Sequence, residues 1–383
     1  MTTTSSDPKT QVFNYVSTRR DQIERRLREW TTRGGRTSDP IGLQEAVKEM
    51  DRELSALAMK PVADLTDERS VYTWETAAGL DDGTLLVAHL DAPIDANAPV
   101  QAFRREPEWL YGEAIGTSRA ALVMMEFALR ALRHVRLLRK RPIGVLYYLD
   151  EGRDCRYSED LIRAAVARVK QVLVLRPGGL GGSVVHQRRG QRKYHLLVDG
   201  HPVRPGTATK QPEALTWLSR KLVELSSLTS RPKRLSVSAI DLTTEAFPML
   251  LPHRLTATFL LTYADRASAD TAQKTIRETL NGRGPRCRLE QISDRPPMPQ
   301  RRANARLAKA LSKVAQEWEI PLKTDSSVWP SVAGLVPAKV GVVCGVGPVA
   351  RDLYTPDEAV QRISLIQRTL LLAQFLLQQA DGG

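Results

Sequence analysis

Apolar and polar positions follow two different periods along the first half of the chain. Short, continuously apolar runs are typical of buried strands, and longer runs with apolar residues every three or four positions are typical of helices. The runs that predict strands are 71–75, 84–89, 143–149 and 171–175. The runs that predict helices are 10–32, 41–58, 119–138 and 158–169. This alternation predicts an α/β fold with a mixed, mostly parallel sheet.

The pattern changes near residue 186 and changes back near residue 297. Between them we predict strands at 192–199, 234–242 and 254–264, and helices at 211–227 and 267–281. This β-α-β-β-α order is a compact split unit, and the proline-rich stretch 295–299 reads as a stiff linker. A helix at 303–318, a strand at 339–344 and a helix at 357–379 then follow. The sequence therefore predicts an α/β domain from 1–187 and 297–383, interrupted by an inserted α+β domain at 188–296.

Composition and charge narrow the class of protein. A chain of 383 residues favours two or more domains, and a net charge of +13 predicts a surface that attracts anions. Aromatic residues make up only 5%, so nucleic-acid binding through stacked bases is not expected. The three cysteines are far apart, no secretory signal is recognisable, and no apolar run is long enough to span a membrane. These features predict a cytoplasmic protein.

Residues that carry chemistry follow two of the predicted strands. His89 and Asp91 lie at the end of one strand, and Asp150 and Glu151 follow another. A His-x-Asp at one strand end and an acidic pair at the next are typical of hydrolases that use two zinc ions. The pattern therefore indicates a hydrolase scaffold.

Six segments together carry a resemblance to a known family. They are LLVAHLD (85–91), YGEAIGTSRAA (111–121), YLDEG (148–152), VDGHP (198–202), GVGP (345–348) and YTPDEAV (354–360). In order and spacing they resemble the M20 family of metallopeptidases and amidohydrolases, which includes carboxypeptidase G-like and acetylornithine deacetylase-like enzymes. The resemblance covers nearly the whole chain. It implies a zinc-peptidase-like α/β domain, an inserted lid domain, and a homodimer formed through residues 188–295.

The resemblance also implies where the zinc-binding residues of that family would fall. His89 matches a histidine ligand, Asp91 the aspartate that orients it, and Glu151 the general base. The four other ligand positions fall on Thr117, Gly152, Arg176 and Tyr354. A lysine of the family's glycine turn falls on Arg119, and a substrate-contacting histidine of the lid falls on Arg204. One ligand in five is kept.

This set predicts that the metal site is lost. Zinc needs three or four nitrogen, oxygen or sulfur ligands, and an arginine brings a fixed positive charge instead. We therefore expect no metal and no cofactor. The predicted vestigial catalytic residues are His89, Asp91, Asp150 and Glu151. The predicted ligand-binding residues are Arg119, Arg176, Arg204 and Tyr354.

Each feature also has a purely structural interpretation. His89 and Asp91 would form a buried hydrogen-bonded pair, and Asp150 and Glu151 would cap the next segment. Arg119 and Arg176 would pair with Asp91 and Glu151 and fill the former metal volume. The basic clusters at 136–141, 188–193 and 301–306 would be solvated faces.

Three hypotheses about function follow. The first is a pseudoenzyme with an M20-like fold, kept as a binding or scaffolding subunit for a peptide-like or amino-acid-like ligand or a partner enzyme. The second is an active enzyme with metal-independent chemistry, using Glu151, His89 and Tyr354. The third is a basic module that binds an acidic carrier protein or another polyanion. The loss of the zinc ligands favours the first.

Overall fold

A computed structural model describes residues 7–63, 65, 69–179, 181–208, 210 and 212–379. In this part of the chain the helices are α1 Pro8–Ser17, α2 Arg20–Thr31, α3 Pro40–Ala56, α4 Ala120–His134, α5 Glu159–Ala167, α6 Ala214–Ser226, α7 Arg266–Leu280, α8 Arg302–Glu317 and α9 Arg362–Gln378. The first strands are β1 Lys60–Pro61, β2 Val71–Glu75, β3 Thr84–His89, β4 Arg104–Arg105, β5 Trp109–Tyr111, β6 Ile143–Tyr148, β7 Gln171–Val174, β8 Pro177–Gly178 and β9 Ser183–Arg188. The remaining strands are β10 Gly190–Asp199, β11 Ser236–Thr244, β12 Arg254–Tyr263, β13 Arg286–Arg295, β14 Lys323–Ser327, β15 Gly341–Cys344, β16 Gly347–Arg351 and β17 Ala359–Gln361.

The chain divides into two compact units. The first comprises the described residues of Met1–His186, Gln300–Ser326 and Leu335–Gly383. The second comprises those of Gln187–Pro299 and Ser327–Gly334. None of the helices in the described part of the chain is both long and apolar enough to cross a membrane.

An eight-stranded mixed sheet organises the first unit, in the order β1-β2-β6-β3-β7-β15-β9-β14. Its centre is parallel, since β3 pairs in parallel with both β6 and β7, and β7 with β15. The pairs β1/β2, β2/β6 and β9/β15 are antiparallel. The carboxyl ends of β6, β3 and β7 therefore lie side by side at one edge of the sheet. The predicted fold class is confirmed.

Helices α4 and α9 belong to the core of this unit. Most side chains of both helices are buried, and the polar ones that are not include Arg130 and Arg133 in α4 and Arg362 and Gln367 in α9. Helices that are buried on most of their faces are stable inside a large core. Both faces of β3 and β6 are buried as well, which explains why their sequences read as continuous apolar runs.

The second unit is a four-stranded antiparallel sheet in the order β11-β12-β10-β13. Apolar side chains that alternate along β10 and β12 pack with α6 and α7 to form a separate core. Its members on β10 include Tyr194, Leu196 and Val198. Strand β11 lies at the edge of the sheet, and most of its residues are exposed.

Two predicted helices differ from the structure, and one long strand was not predicted. The predicted helix 10–32 divides at Thr18 and Arg19 into α1 and α2. The predicted helix 357–379 begins only at Arg362, because the Glu358 carboxylate binds backbone amides and β17 precedes the helix. Strand β13 was not predicted, because its sequence RCRLEQISDR contains few apolar residues.

Candidate functional site

The predicted site residues of the first unit meet at the carboxyl ends of the parallel strands. His89 ends β3, Glu151 follows β6, and Arg176 follows β7. Since β6 and β7 flank β3, Glu151 and Arg176 come from either side of His89. Tyr354 reaches the same place from the loop between β16 and β17.

Arg176 and Glu151 form an ion pair in this site. Nη1 of Arg176 donates to Oε1 of Glu151 at 2.7 Å, and the two side chains are only 11% and 4% exposed. Nη2 of Arg176 donates to the Tyr354 hydroxyl. The other carboxylate oxygen of Glu151 accepts from the Tyr148 hydroxyl at 2.8 Å and the Cys155 thiol at 3.4 Å. The predicted pairing of Arg176 with Glu151 is confirmed.

His89 is held by acceptors on both sides of its ring. Nδ1 lies 2.9 Å from the Asp91 carbonyl oxygen and 3.2 Å from its Oδ1. Nε2 lies 2.9 Å from the carbonyl oxygen of Thr117. Both ring nitrogens therefore lie within hydrogen-bond distance of oxygen atoms of the chain. The predicted buried pair of His89 and Asp91 is confirmed.

Asp91 organises the turn that follows β6. Its fully buried carboxylate accepts from the backbone amides of Glu151 (3.2 Å) and Gly152 (3.0 Å) and from the Thr37 hydroxyl (2.7 Å). Burial works against the charged form. The bonds from His89, Gly152 and Thr37 outweigh it and hold the pKa of the Asp91 carboxyl below its usual value.

Asp150 and Glu151 do not share a role. Asp150 accepts from the backbone amides of Tyr157 (2.8 Å) and Ser158 (3.2 Å) in the turn that leads into α5, not from the first amides of the helix itself. Burial raises the pKa of its carboxyl. The predicted capping role is wrong for Glu151, because its carboxylate points to Arg176 and Tyr148 instead.

Arg119 also differs from its predicted partner. It is 1% exposed, and its guanidinium donates to the carbonyl oxygens of Leu90 (2.6 Å) and Gly34 (3.3 Å), not to Asp91. Burial lowers its pKa to about 10, and the nearby carboxylates, Asp91 first, offset part of that shift. The guanidinium thus joins the residue after β3 to the loop between α2 and α3, which is a structural role. Arg204 belongs to the second unit, where it is exposed at the start of a turn.

A buried glutamate completes the site and was missed in the sequence. Glu358 accepts from the backbone amides of Gly116 (2.6 Å), Thr117 (2.7 Å) and Tyr354 (2.9 Å), and from the Thr117 hydroxyl (3.1 Å). Burial raises the pKa of its carboxyl. The segment Tyr-Thr-Pro-Asp-Glu carried the only signal, and we interpreted it as the start of a helix.

The residues present do not fit a dinuclear zinc centre. At the positions where the M20 resemblance places ligands, the Thr117 hydroxyl binds Glu358, Arg176 binds Glu151, and both nitrogens of His89 face oxygen acceptors. Across the described ranges, no group of three or more histidine, cysteine, aspartate or glutamate side chains could hold a metal ion. A fixed guanidinium at this position opposes a dication.

Gly152 packs closely against Thr37, so the glutamate that the M20 resemblance places at this position would not fit without a shift of Thr37. A Cβ atom on Gly152 would lie 2.3 Å from Oγ1 and 3.0 Å from Cβ of Thr37. The Thr37 hydroxyl is in turn bound to Asp91. Thr37 lies far from the strand ends in sequence, and no signal identified it.

We expect Gly152→Ala to lower the free energy of unfolding by about 1–3 kcal/mol, because the new methyl group must displace Thr37. In a Thr37→Ala background, Gly152→Ala should lower the free energy of unfolding much less, because Oγ1 of Thr37 is absent. Urea denaturation of both single variants and the double variant measures the coupling. Additive effects of the two changes would contradict the predicted contact.

Comparisons with known proteins define the class of fold. No protein-family model matches the chain, and no curated protein matches it in sequence. Solved structures do match. Human carnosine dipeptidase 1 superposes with a TM-score of 0.74 at 13% identity, covering 97% of this chain and 100% of that one. An M20 family metallo-carboxypeptidase, Sso-CP2 from Sulfolobus solfataricus, gives 0.73 at 14% identity, covering 93% and 98%.

The dipeptidase Dug1p from Saccharomyces cerevisiae gives a TM-score of 0.71 at 13% identity, covering 98% of this chain and 99% of that one. The chain therefore has the fold of M20 peptidases over nearly its whole length. At these identities the likeness concerns the fold, and the chemistry of the site rests on the residues described above.

Proposed function

We propose that this protein is a pseudoenzyme with the M20 peptidase fold, which uses its strand-end cleft to hold a peptide-like or amino-acid-like ligand without hydrolysing it. The observation that carries the proposal is the position of Arg176. It is bonded to Glu151 and Tyr354 where the M20 resemblance places a metal ligand. The proposed function needs no metal and no cofactor.

The engagement of Glu151 disfavours catalysis by this group. A general base must be within hydrogen-bond reach of the proton that it removes. Here the Glu151 carboxylate already accepts from Arg176, Tyr148 and Cys155 and is 6% exposed. The Glu151 carboxylate is therefore engaged by three donors and is not a ready base.

Tyr354 lies at the exposed edge of the site. Its side chain is 44% exposed, and its hydroxyl contacts the Arg176 guanidinium. A guanidinium binds carboxylates through paired N–H donors, and a neighbouring aromatic ring covers the apolar part of a ligand. This combination suits a ligand with a free or peptide-terminal carboxylate.

Calorimetric titration with N-acetyl amino acids and dipeptides tests the proposal. We expect binding with the ligand recovered intact, and Tyr354→Ala should weaken it by about tenfold, equivalent to about 1.4 kcal/mol. The matched control is Tyr157→Ala, which removes another exposed tyrosine from the first unit. Recovery of cleaved ligand, or equal affinity of both variants, would refute the proposed role.

The second unit is proposed to form a homodimer within residues 188–295, as the resemblance implies. Edge strand β11 leaves Ile240 (52%) and Leu242 (43%) exposed, and α6 leaves Val223 exposed. An uncovered apolar edge strand readily pairs with another strand. Light scattering at micromolar protein should give a dimer, and Ile240→Lys should shift it toward monomer. Met249→Lys, on an exposed loop of the same unit, is the control, and a concentration-independent monomer would contradict the assembly.

A further inference from the structure

Helix α8 has one buried face and one strongly basic face. Its buried face packs in the core of the first unit through Leu307, Leu311 and Val314. The opposite face is exposed and carries four cations: Arg302, Arg306, Lys309 and Lys313. We call these four residues the α8 basic stripe.

The α8 basic stripe is straight and regular. Its members follow each other at intervals of four, three and four residues. At 3.6 residues per turn these positions fall within an arc of about 60°, and a rise of 1.5 Å per residue spreads them over about 16 Å. The four charges therefore form one line along the outer face of the helix.

The four cations are not held in ion pairs. Within the part of the chain that the structure describes, none of them forms a salt bridge or a side-chain hydrogen bond. The nearest acid on the helix is Glu317, which is bound by Lys9 at 2.6 Å. That bond is the main reason for the lowered pKa of Glu317, and Lys313 adds only a small part.

The arrangement also works against the stability of the helix. Like charges three or four residues apart repel, and cations in the first turn oppose the helix dipole. Two other helices show the favourable pattern: α4 has Arg133 and His134 in its last turn, and α5 has Glu159 and Asp160 in its first. Packing does not require the stripe, since its side chains are exposed. Its destabilising pattern therefore indicates an external anion.

We propose that the α8 basic stripe docks an acidic α-helix of a partner protein. A helix with carboxylates at intervals of four, three and four residues matches the stripe charge for charge. The stripe has no large apolar or aromatic side chain to anchor it in a lipid surface or to stack on bases. A second copy of this chain is a poor match, because α3 interleaves its glutamates with Lys48 and Arg52.

This proposal goes beyond the cleft and can fail independently of it. The probe is a fluorescein-labelled 16-residue helical peptide with glutamates at positions 2, 6, 9 and 13 in an alanine and glutamine background (these positions, roughly one helical face, follow the 3.6-residue period). Binding to the full chain is measured by fluorescence anisotropy at low and physiological salt. The stripe variant is Arg302→Gln/Arg306→Gln/Lys309→Gln/Lys313→Gln.

The control variant removes the same net charge from exposed cations elsewhere in the first unit. It is Arg133→Gln/Arg139→Gln/Lys140→Gln/Lys170→Gln. We expect the stripe variant to bind the peptide about tenfold or more weakly, as the loss of several exposed ion pairs implies, and the control to change affinity by less than about threefold. The thermal midpoint should rise in the stripe variant and not in the control.

Three outcomes would overturn the proposal. Equal weakening in both variants would assign binding to net charge alone. Tighter, stripe-dependent binding of a 20-base-pair DNA duplex than of the peptide would assign the surface to nucleic acid, and the same result with phosphatidylserine vesicles would assign it to a membrane. The stripe variant should keep the affinity of the cleft for N-acetyl amino acids and dipeptides, so a failure of the peptide experiment leaves the cleft proposal standing.

Discussion

Arg176→Ala is expected to lower the free energy of unfolding by about 3–5 kcal/mol, because it leaves the Glu151 carboxylate buried without its cationic partner. Glu151 is 4% exposed in its side chain, so water cannot replace the guanidinium fully. The Tyr148 hydroxyl and the Cys155 thiol still donate to the carboxylate, but neither carries a charge. Urea or thermal unfolding measures the loss.

Two further variants distinguish the buried Arg176–Glu151 ion pair from an exposed ion pair. Arg163→Ala breaks the pair with Glu159, whose side chains are 39% and 37% exposed, and should cost less than about 1 kcal/mol. The double change Arg176→Ala/Glu151→Gln should recover part of the loss, because no uncompensated charge remains. If Arg176→Ala were as mild as Arg163→Ala, the guanidinium would not hold the site together.

The balance of charges explains why the cleft tolerates Arg176 at a position where the M20 resemblance places an acidic zinc ligand. The M20 resemblance implies a site built around two dications and their carboxylates. Here two buried or half-buried guanidinium groups, Arg119 and Arg176, stand beside the carboxylates of Asp91, Glu151 and Glu358. Three carboxylates would be heavily overbalanced by two dications and two arginines. The exchange of acidic ligands for Arg176 therefore fits a cleft without zinc.

The parallel strands of the sheet and the pair of Arg176 with Glu151 could be predicted from the sequence for a physical reason. Strands that are buried on both faces leave continuous apolar runs, so β3, β6 and β7 were found within one or two residues. Parallel neighbours bring their carboxyl ends together, which placed Glu151 and Arg176 near His89. Chemical complementarity between a carboxylate and a guanidinium then predicted their bond.

Contacts that depend on backbone geometry could not be predicted from the sequence. Arg119 donates to the carbonyls of Leu90 and Gly34, and every residue type presents such a carbonyl. Thr37 binds Asp91 across 54 positions of sequence, without a motif to mark it. Glu358 was assigned to a helix start because its partners, the amides of Gly116 and Thr117, belong to a turn that only the folded chain brings close.

The metal content and the hydrolytic activity of the purified protein test the central claim most directly. We expect well below one equivalent of zinc per chain by elemental analysis, even after incubation with zinc and removal of the excess. Hydrolysis of N-acyl amino acids and dipeptides should stay at background and should not change with a chelator, because the groups that would bind and activate a metal-bound water are missing or engaged. Two tightly bound zinc ions per chain, with turnover that a chelator abolishes, would contradict the account.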